Sequence, residues 1–284
     1  MTDTDYAALA REHGLKRVGA RPPLHHYIRE TWQRRAFAFT LARYRLEARN
    51  GQNRLGLAWV VLRPLINAAV YGVVFGLILA RDSRPANFIP FLVVGVFIFE
   101  FFSKSLSEGA KSIANNAQLV RSLSFPRVLL PISIVIQQIL ELVPMVVVML
   151  IIVLVFGEPI TLNWLLLVPV LAIMALFNFG VAFIAARLTV HLRDLTQILP
   201  FVTRIMFYST GIFYSIDKVL KDSPLLLVAQ LNPVHDFIAL VRFSVVSGTV
   251  IQPWFWLVIV ASSLVFAVGG FIFFWLAEEQ YGRD

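Results

Sequence analysis

The chain contains no cysteine. Disulfides and thiolate metal sites are therefore excluded, while the compartment is left open. His13, His25, His26, His191 and His235 show none of the spacings that hold a metal ion. No glycine-rich loop ending in Gly-Lys-Ser/Thr is present to cradle a nucleotide phosphate. No cluster of acidic residues suggests a metal-dependent lipid transferase. Charge is scarce, at 15% of residues against about 25% in soluble domains. Asp3, Asp5 and Glu12 precede the first apolar run, which begins only near Leu57, so no cleavable signal peptide is expected.

What fills the chain is apolar. Hydrophobic residues make up 58% of it and the mean hydropathy is +0.75. Several apolar runs are long enough to cross a hydrocarbon core of about 30 Å. The expected fold is all-α and integral to a membrane, with six spans at 57–80, 88–106, 128–156, 164–188, 195–216 and 254–277. Two regions follow: a cytoplasmic N-terminal arm at 1–56, and a six-span domain at 57–284.

Basic residues orient the spans. Segments 1–56, 103–127, 187–196 and 278–284 carry 18 of the Lys and Arg, while 81–87 and 217–253 on the other side carry 5. Positive charge stays cytoplasmic, so both termini are expected inside. The net charge of +8 then suits topology and anionic lipid rather than nucleic acid.

Three features stand out from this frame. The arm reads as an amphipathic helix over 27–56, with Phe37, Leu41, Tyr44 and Ala48 on one face and Arg34, Arg35, Arg43, Arg45 and Arg49 around them. That pattern fits a helix in the headgroup region, either a plain positive-inside anchor or a gate that recruits a phosphate-bearing lipid. Within the first span Arg63, Asn67, Tyr71 and Phe75 step along one drifting face. In the fifth, Arg204, Tyr208, Gly211 and Ser215 do the same, with Phe207 and Tyr214 beside them. Aromatic faces and an arginine suit a path for a glycan on an anionic lipid; snorkelling and packing are the plainer readings. Glu100 and Lys104 are spaced to pair, and Glu141, near Gln137 and Gln138, is expected to hydrogen-bond between helices.

The third feature is a polar insert at 107–127, placed inside by the charge count. The outer segment 217–253 is also informative. Its apolar stretches Pro224–Leu231 and Val234–Val246 are each too short to span. They read either as surface helices or as a re-entrant hairpin with its turn buried in protein. Six spans without catalytic machinery read as a transport subunit or as a scaffold for glycan synthesis.

Several separate blocks resemble the permease subunits of ABC-2 type polysaccharide exporters, over about residues 41–277. They are Arg43-Tyr44-Arg45 with Leu55-Gly56-Leu57-Ala58-Trp59 and Arg63-Pro64-Leu65; Phe91-Leu92-Val93-Val94-Gly95 with Phe101-Phe102; Asn116-Ala117-Gln118-Leu119-Val120 through Phe125-Pro126-Arg127 to Leu130-Pro131; Arg193-Asp194-Leu195; and Leu231-Asn232-Pro233 with Arg242. The family commonly has Asn where this chain has Arg63. The resemblance implies a multi-pass protein of the bacterial cytoplasmic membrane that moves a polyprenyl-diphosphate-linked glycan, such as an O antigen, a teichoic acid or a galactan. It implies a homodimer with two copies of a separate ATPase subunit, which would bind ATP and magnesium in place of this chain. It also implies that the hairpin is re-entrant, and that Asn116, Leu119, Val120 and Arg121 contact the ATPase, with Phe125, Pro126 and Arg127 forming the turn into the third span. Within transport, drugs or small lipids are the alternative cargo.

Overall fold

A computed structural model of the chain describes residues 21–51, 54–56, 58–78, 87–220 and 223–281. The expected arm before Arg21 and the expected ends of the first span at Leu57 and Ala80 lie outside these residues. Among the described residues every regular element is a helix. In chain order these are α1 (Leu24–Gln33), α2 (Arg35–Gly51), α3 (Ala58–Ile78), α4 (Phe88–Ala110), α5 (Ala117–Ser122), α6 (Leu129–Val155), α7 (Leu167–His191), α8 (Leu195–Ser209), α9 (Ile216–Val219), α10 (Leu225–Gln230), α11 (Pro233–Val245) and α12 (Trp254–Leu276).

Five of them, namely α3, α4, α6, α7 with its leading turn, and α12, are long and apolar enough to cross a membrane. The run expected to make a fifth span over 195–216 behaves differently. Its helix ends at Ser209 after 15 residues, a rise of about 22 Å. The chain then turns through Gly211, whose φ of +69° suits a residue without a side chain.

Helix α4 is the axis of the bundle. Its residues from Pro90 to Phe99 are all buried, and it touches α3, α6, α7, α8 and α11. Helices α7 and α12 make the most extensive pair. Gly180 lies against Phe266, Ala267 and Gly270; a Cβ added at Gly180 would stand 2.2 Å from backbone atoms of Phe266. Small residues at such crossings let backbones approach in lipid, where burial of apolar surface no longer drives association.

The segment before the last span forms a helical hairpin. Asn232 accepts a hydrogen bond from Val234 N at 3.1 Å, and Pro233 occupies the first helical turn, a strong start signal. Helix α11 is buried along nearly its whole length, from Val234 to Val245, among α4, α7 and α12. A helix lying flat on a surface would leave one face open, whereas α11 is enclosed, and the turn before it leaves Leu231 exposed. Helix α10 leaves Leu227 and Val228 exposed.

The arm also departs from expectation. It is two helices rather than one, broken at Arg34. The face of α2 that packs on α6 carries buried Ala38 and Ala42 together with Arg45, while Tyr44 is 65% exposed. Small side chains permit the close approach, and polar groups on α4 and α6 give the arginines partners. The departure lies in the arginines: Tyr44 and Ala48 stay exposed, while Arg45 turns to the bundle rather than to headgroups.

Candidate functional site

The two predicted stripes meet. A cavity of about 250 Å³ lies between α3, α4 and α8. Asn67 and Tyr71 come from α3, Phe99, Glu100 and Ser103 from α4, and Pro200, Thr203, Arg204, Phe207 and Tyr208 from α8. Proline inside α8 removes one backbone donor from the ladder, next to the cavity. Tyr71 and Phe99 each pack on Phe207, at 5.2 and 5.1 Å between ring centres. Glu100 pairs with Lys104 at 3.3 Å, as the spacing predicted. Arg204 carries no ion pair among the described residues, leaving its guanidinium for the cavity.

The remaining members of the predicted stripes stand elsewhere. Arg63 is exposed and sits 5.9 Å from the Trp59 ring. Phe75 stacks on Phe213 at 4.1 Å, and the Tyr214 hydroxyl donates to Tyr208 O at 3.0 Å. Sequence reasoning missed Phe213, which is almost wholly buried. Its place in a turn hid it from any helical pattern. Thr203 and Ser103 were missed for the opposite reason, since small hydroxyl residues carry no periodic signal.

A charged network runs from this cavity toward the arm. Lys104 reaches Glu141 at 3.4 Å, and Gln137 donates to the same carboxylate at 3.0 Å. Arg49 pairs with Glu108 at 2.7 Å and lies 3.7 Å from Glu141. Gln138 also donates to Glu108. Arg45 donates to Ser133 Oγ at 2.7 Å and to Asn116 Oδ1 at 3.0 Å. Burial pulls the Arg45 guanidinium below its ordinary range. At Arg49 burial acts the same way, but Glu108 and Glu141 outweigh it and the net shift is upward. These two arginines therefore hold protein carboxylate, hydroxyl and amide oxygens.

The polar insert contains a short 3-10 turn, Ala114–Asn116, and then α5. Of the four residues expected to meet a partner, Arg121 is exposed and Leu119 half-buried, whereas Val120 is buried. Asn116 turns inward, its amide donating to Ser112 O at 2.6 Å while its oxygen takes Arg45. Gln118 and Leu123 share the outer side with Arg121.

The turn into α6 is fastened from two directions. Phe125 packs on Phe37 at 5.2 Å, and Pro126 is buried. Arg127 donates to Glu278 from its backbone at 3.0 Å and pairs with it through its side chain at 3.6 Å. The Tyr27 hydroxyl donates to the other Glu278 oxygen at 2.7 Å and accepts from Val128 N at 3.2 Å. Burial raises the Glu278 carboxyl above its usual range, although Arg127 and Tyr27 oppose the shift. Nothing in the sequence flagged Glu278, which follows the last span like any solvated tail residue.

Comparison with known proteins covers the same part of the chain. The sequence profile of ABC-2 type transporters matches residues 37–246, which takes in α2 from Phe37 onward, the cavity, the insert and the hairpin. An O-antigen export system permease protein, RfbA, of Klebsiella pneumoniae is 30% identical over 205 residues, covering 72% of this chain and 78% of that protein. The RfbA permease of Myxococcus xanthus is 29% identical over 206 residues with the same coverage. A second Klebsiella pneumoniae protein of that name is 31% identical over 175 residues, or 61% of this chain and 67% of its own.

Proposed function

The chain belongs to the ABC-2 type transporter family, and from that premise we propose that it is the permease subunit of an exporter for a cell-surface polysaccharide. The observation that carries this reading is the cavity, where two stripes on separate helices converge on one space. Tyr71, Phe207 and Tyr208 offer ring faces for sugar C–H surfaces, and Asn67, Ser103 and Thr203 offer hydrogen bonds to hydroxyls. Arg204 supplies a planar fork matched to a phosphate. Such a mix suits a lipid-diphosphate-linked glycan better than a purely apolar drug.

In this reading the subunit works as a homodimer in the bacterial cytoplasmic membrane, with both termini inside and α8 as the sixth, shorter crossing. The α10–α11 hairpin enters the membrane from the outer side and returns. ATP is bound and hydrolysed by two copies of a separate subunit that docks on the outer side of α5, around Gln118, Arg121 and Leu123, with Leu119 at its edge. Val120 and Asn116 take the complementary task of fixing α5 to the bundle, so movement of the docked partner is passed to α2, α4 and α6 as a rigid-body shift. Phe125, Pro126 and Arg127 form the hinge. Arg45 and Arg49 hold the gate helix on the bundle, leaving Phe37 on the hinge and Tyr44 toward lipid. Arg63 stands at the inner mouth beside Trp59, and Phe75 and Tyr214 back the cavity's aromatic wall.

Replacing Tyr71 and Tyr208 by Ala, or Arg204 by Gln, is expected to lower surface polysaccharide sharply while the amount of membrane-inserted protein stays normal. Immunoblot of the surface glycan beside that of the protein decides it. Normal export in all three variants would reduce the cavity to packing.

A further inference from the structure

Helix α8 stops at Ser209 although the sequence stays largely apolar as far as Ile216. The reason lies in α11. Three successive carbonyls of the turn, at Thr210, Gly211 and Ile212, all accept hydrogen bonds from its side chains. His235 Nδ1 donates to Thr210 O at 3.1 Å. Arg242 donates to Gly211 O at 3.0 Å and to Ile212 O at 2.9 Å. Its third donor, Nε, goes to Phe91 O on α4 at 3.1 Å, and its guanidinium lies 3.3 Å over the Phe91 ring. The side chain is 4% exposed, and a Cβ at Gly95 would come within 2.6 Å of it. Non-helical backbone away from water needs every carbonyl satisfied, and here α11 supplies the donors.

The next residue is Phe213, 1% exposed. Its ring packs on Phe75 at 4.1 Å, on Tyr71 and Phe207 at 5.2 Å each, and on Tyr208 at 5.8 Å. Tyr71, Phe207 and Tyr208 line the cavity, so Phe213 stands directly behind three of its wall residues, at the hairpin end. We propose that Phe213 sets and closes the aromatic wall of the cavity at that end, and that Arg242 is the positioning residue that holds it there. Only a guanidinium presents enough donors in a fixed plane to serve carbonyls on α4 and on the turn together. The inference rests on the cavity being a substrate route only for its consequence in export; the closure itself is a property of the chain.

The absence of native cysteine makes a direct test available. Ser103→Cys places one thiol in the cavity, and Met149→Cys, wholly buried in α6, serves as a control. A membrane-impermeant thiol reagent is applied from the hairpin side of sealed vesicles, and separately from the arm side. In the parent background Ser103→Cys should react slowly from the hairpin side. Phe213→Ala and Arg242→Gln should each raise that rate several-fold, leave the arm-side rate unchanged, and leave Met149→Cys unreactive. Arg242→Lys, which keeps the charge and loses the fork, should fall between parent and Gln. Three results would overturn the proposal: an unchanged hairpin-side rate in either the Phe213 or the Gln variant, full protection in the Lys variant, or a parallel rise at Met149→Cys. Labelling reads the cavity without transport, so failure of the export assay leaves this outcome separately legible.

Discussion

Glu278 is a carboxylate that the fold withdraws from water at the foot of α12, beside Tyr27 and Arg127. Its folded pKa is raised, with burial as the leading cause. A raised value means that protons bind the folded state more tightly than the unfolded one. Its contribution to stability is therefore complete below the unfolded carboxylate range, near pH 4.3, and is lost as pH climbs through the folded value. Relative to Glu278→Gln, the parent should lose thermal stability as the pH is stepped upward from 4, in detergent at constant ionic strength. A difference that stays flat across that range would remove the titration from the account. Tyr27 and Glu278 were invisible in the sequence because no periodicity links residues 251 positions apart. Other contacts were half legible: Arg45 meets Asn116, and Arg242 meets Phe91. In each case two separately noted sequence blocks turn out to touch.

Among the elements, existence was easier to read than facing. The five long apolar helices were legible because lipid demands length and hydropathy together. The arm's inward face was not. The aromatics were expected in the acyl boundary and the arginines on lipid phosphates, but this helix meets a bundle surface bearing Glu108, Ser133 and Glu141, which takes the arginines instead. The helix turns alanines and arginines inward and leaves Phe39 and Tyr44 on the outside, where aromatics suit a membrane interface. The arm's attachment should therefore be electrostatic and specific. Arg49→Glu is expected to loosen α2, giving faster amide exchange over 35–49, and Glu108→Arg in the same chain should restore much of the protection. Equal exchange in the single and double variants would show that the alanines alone hold the helix. The end of α8 was misjudged for a related reason. Apolar character continued past Ser209, and only the hydrogen bonds from α11 reveal why helix did not.

Across the whole molecule, the contacts sort into two ends joined by the spans. At one end Ser247 N donates to Glu158 at 2.7 Å, with Asn87 on the same carboxylate, and Arg242 holds the hairpin. At the other, α1, α2, α5 and the residues after α12 are woven together. What keeps the ends in register is close packing of α7 on α12. Gly180→Leu should prevent that contact and abolish recoverable folded protein, well beyond the usual 1–3 kcal/mol of an overpacked site. Gly269→Ala, where an added Cβ meets nothing within 4 Å, should be silent in the same thermal-melt assay. The knot around Glu278 also has a temporal side. Arg127 emerges from the ribosome 151 residues before its partner, an interval of roughly eight to thirty seconds at ordinary translation rates. During that time the turn into α6 has Phe37 to pack on but lacks the second of its two fastenings. The surface around α5 therefore takes its final shape only at the close of synthesis, and a nascent permease has little to offer a partner before then.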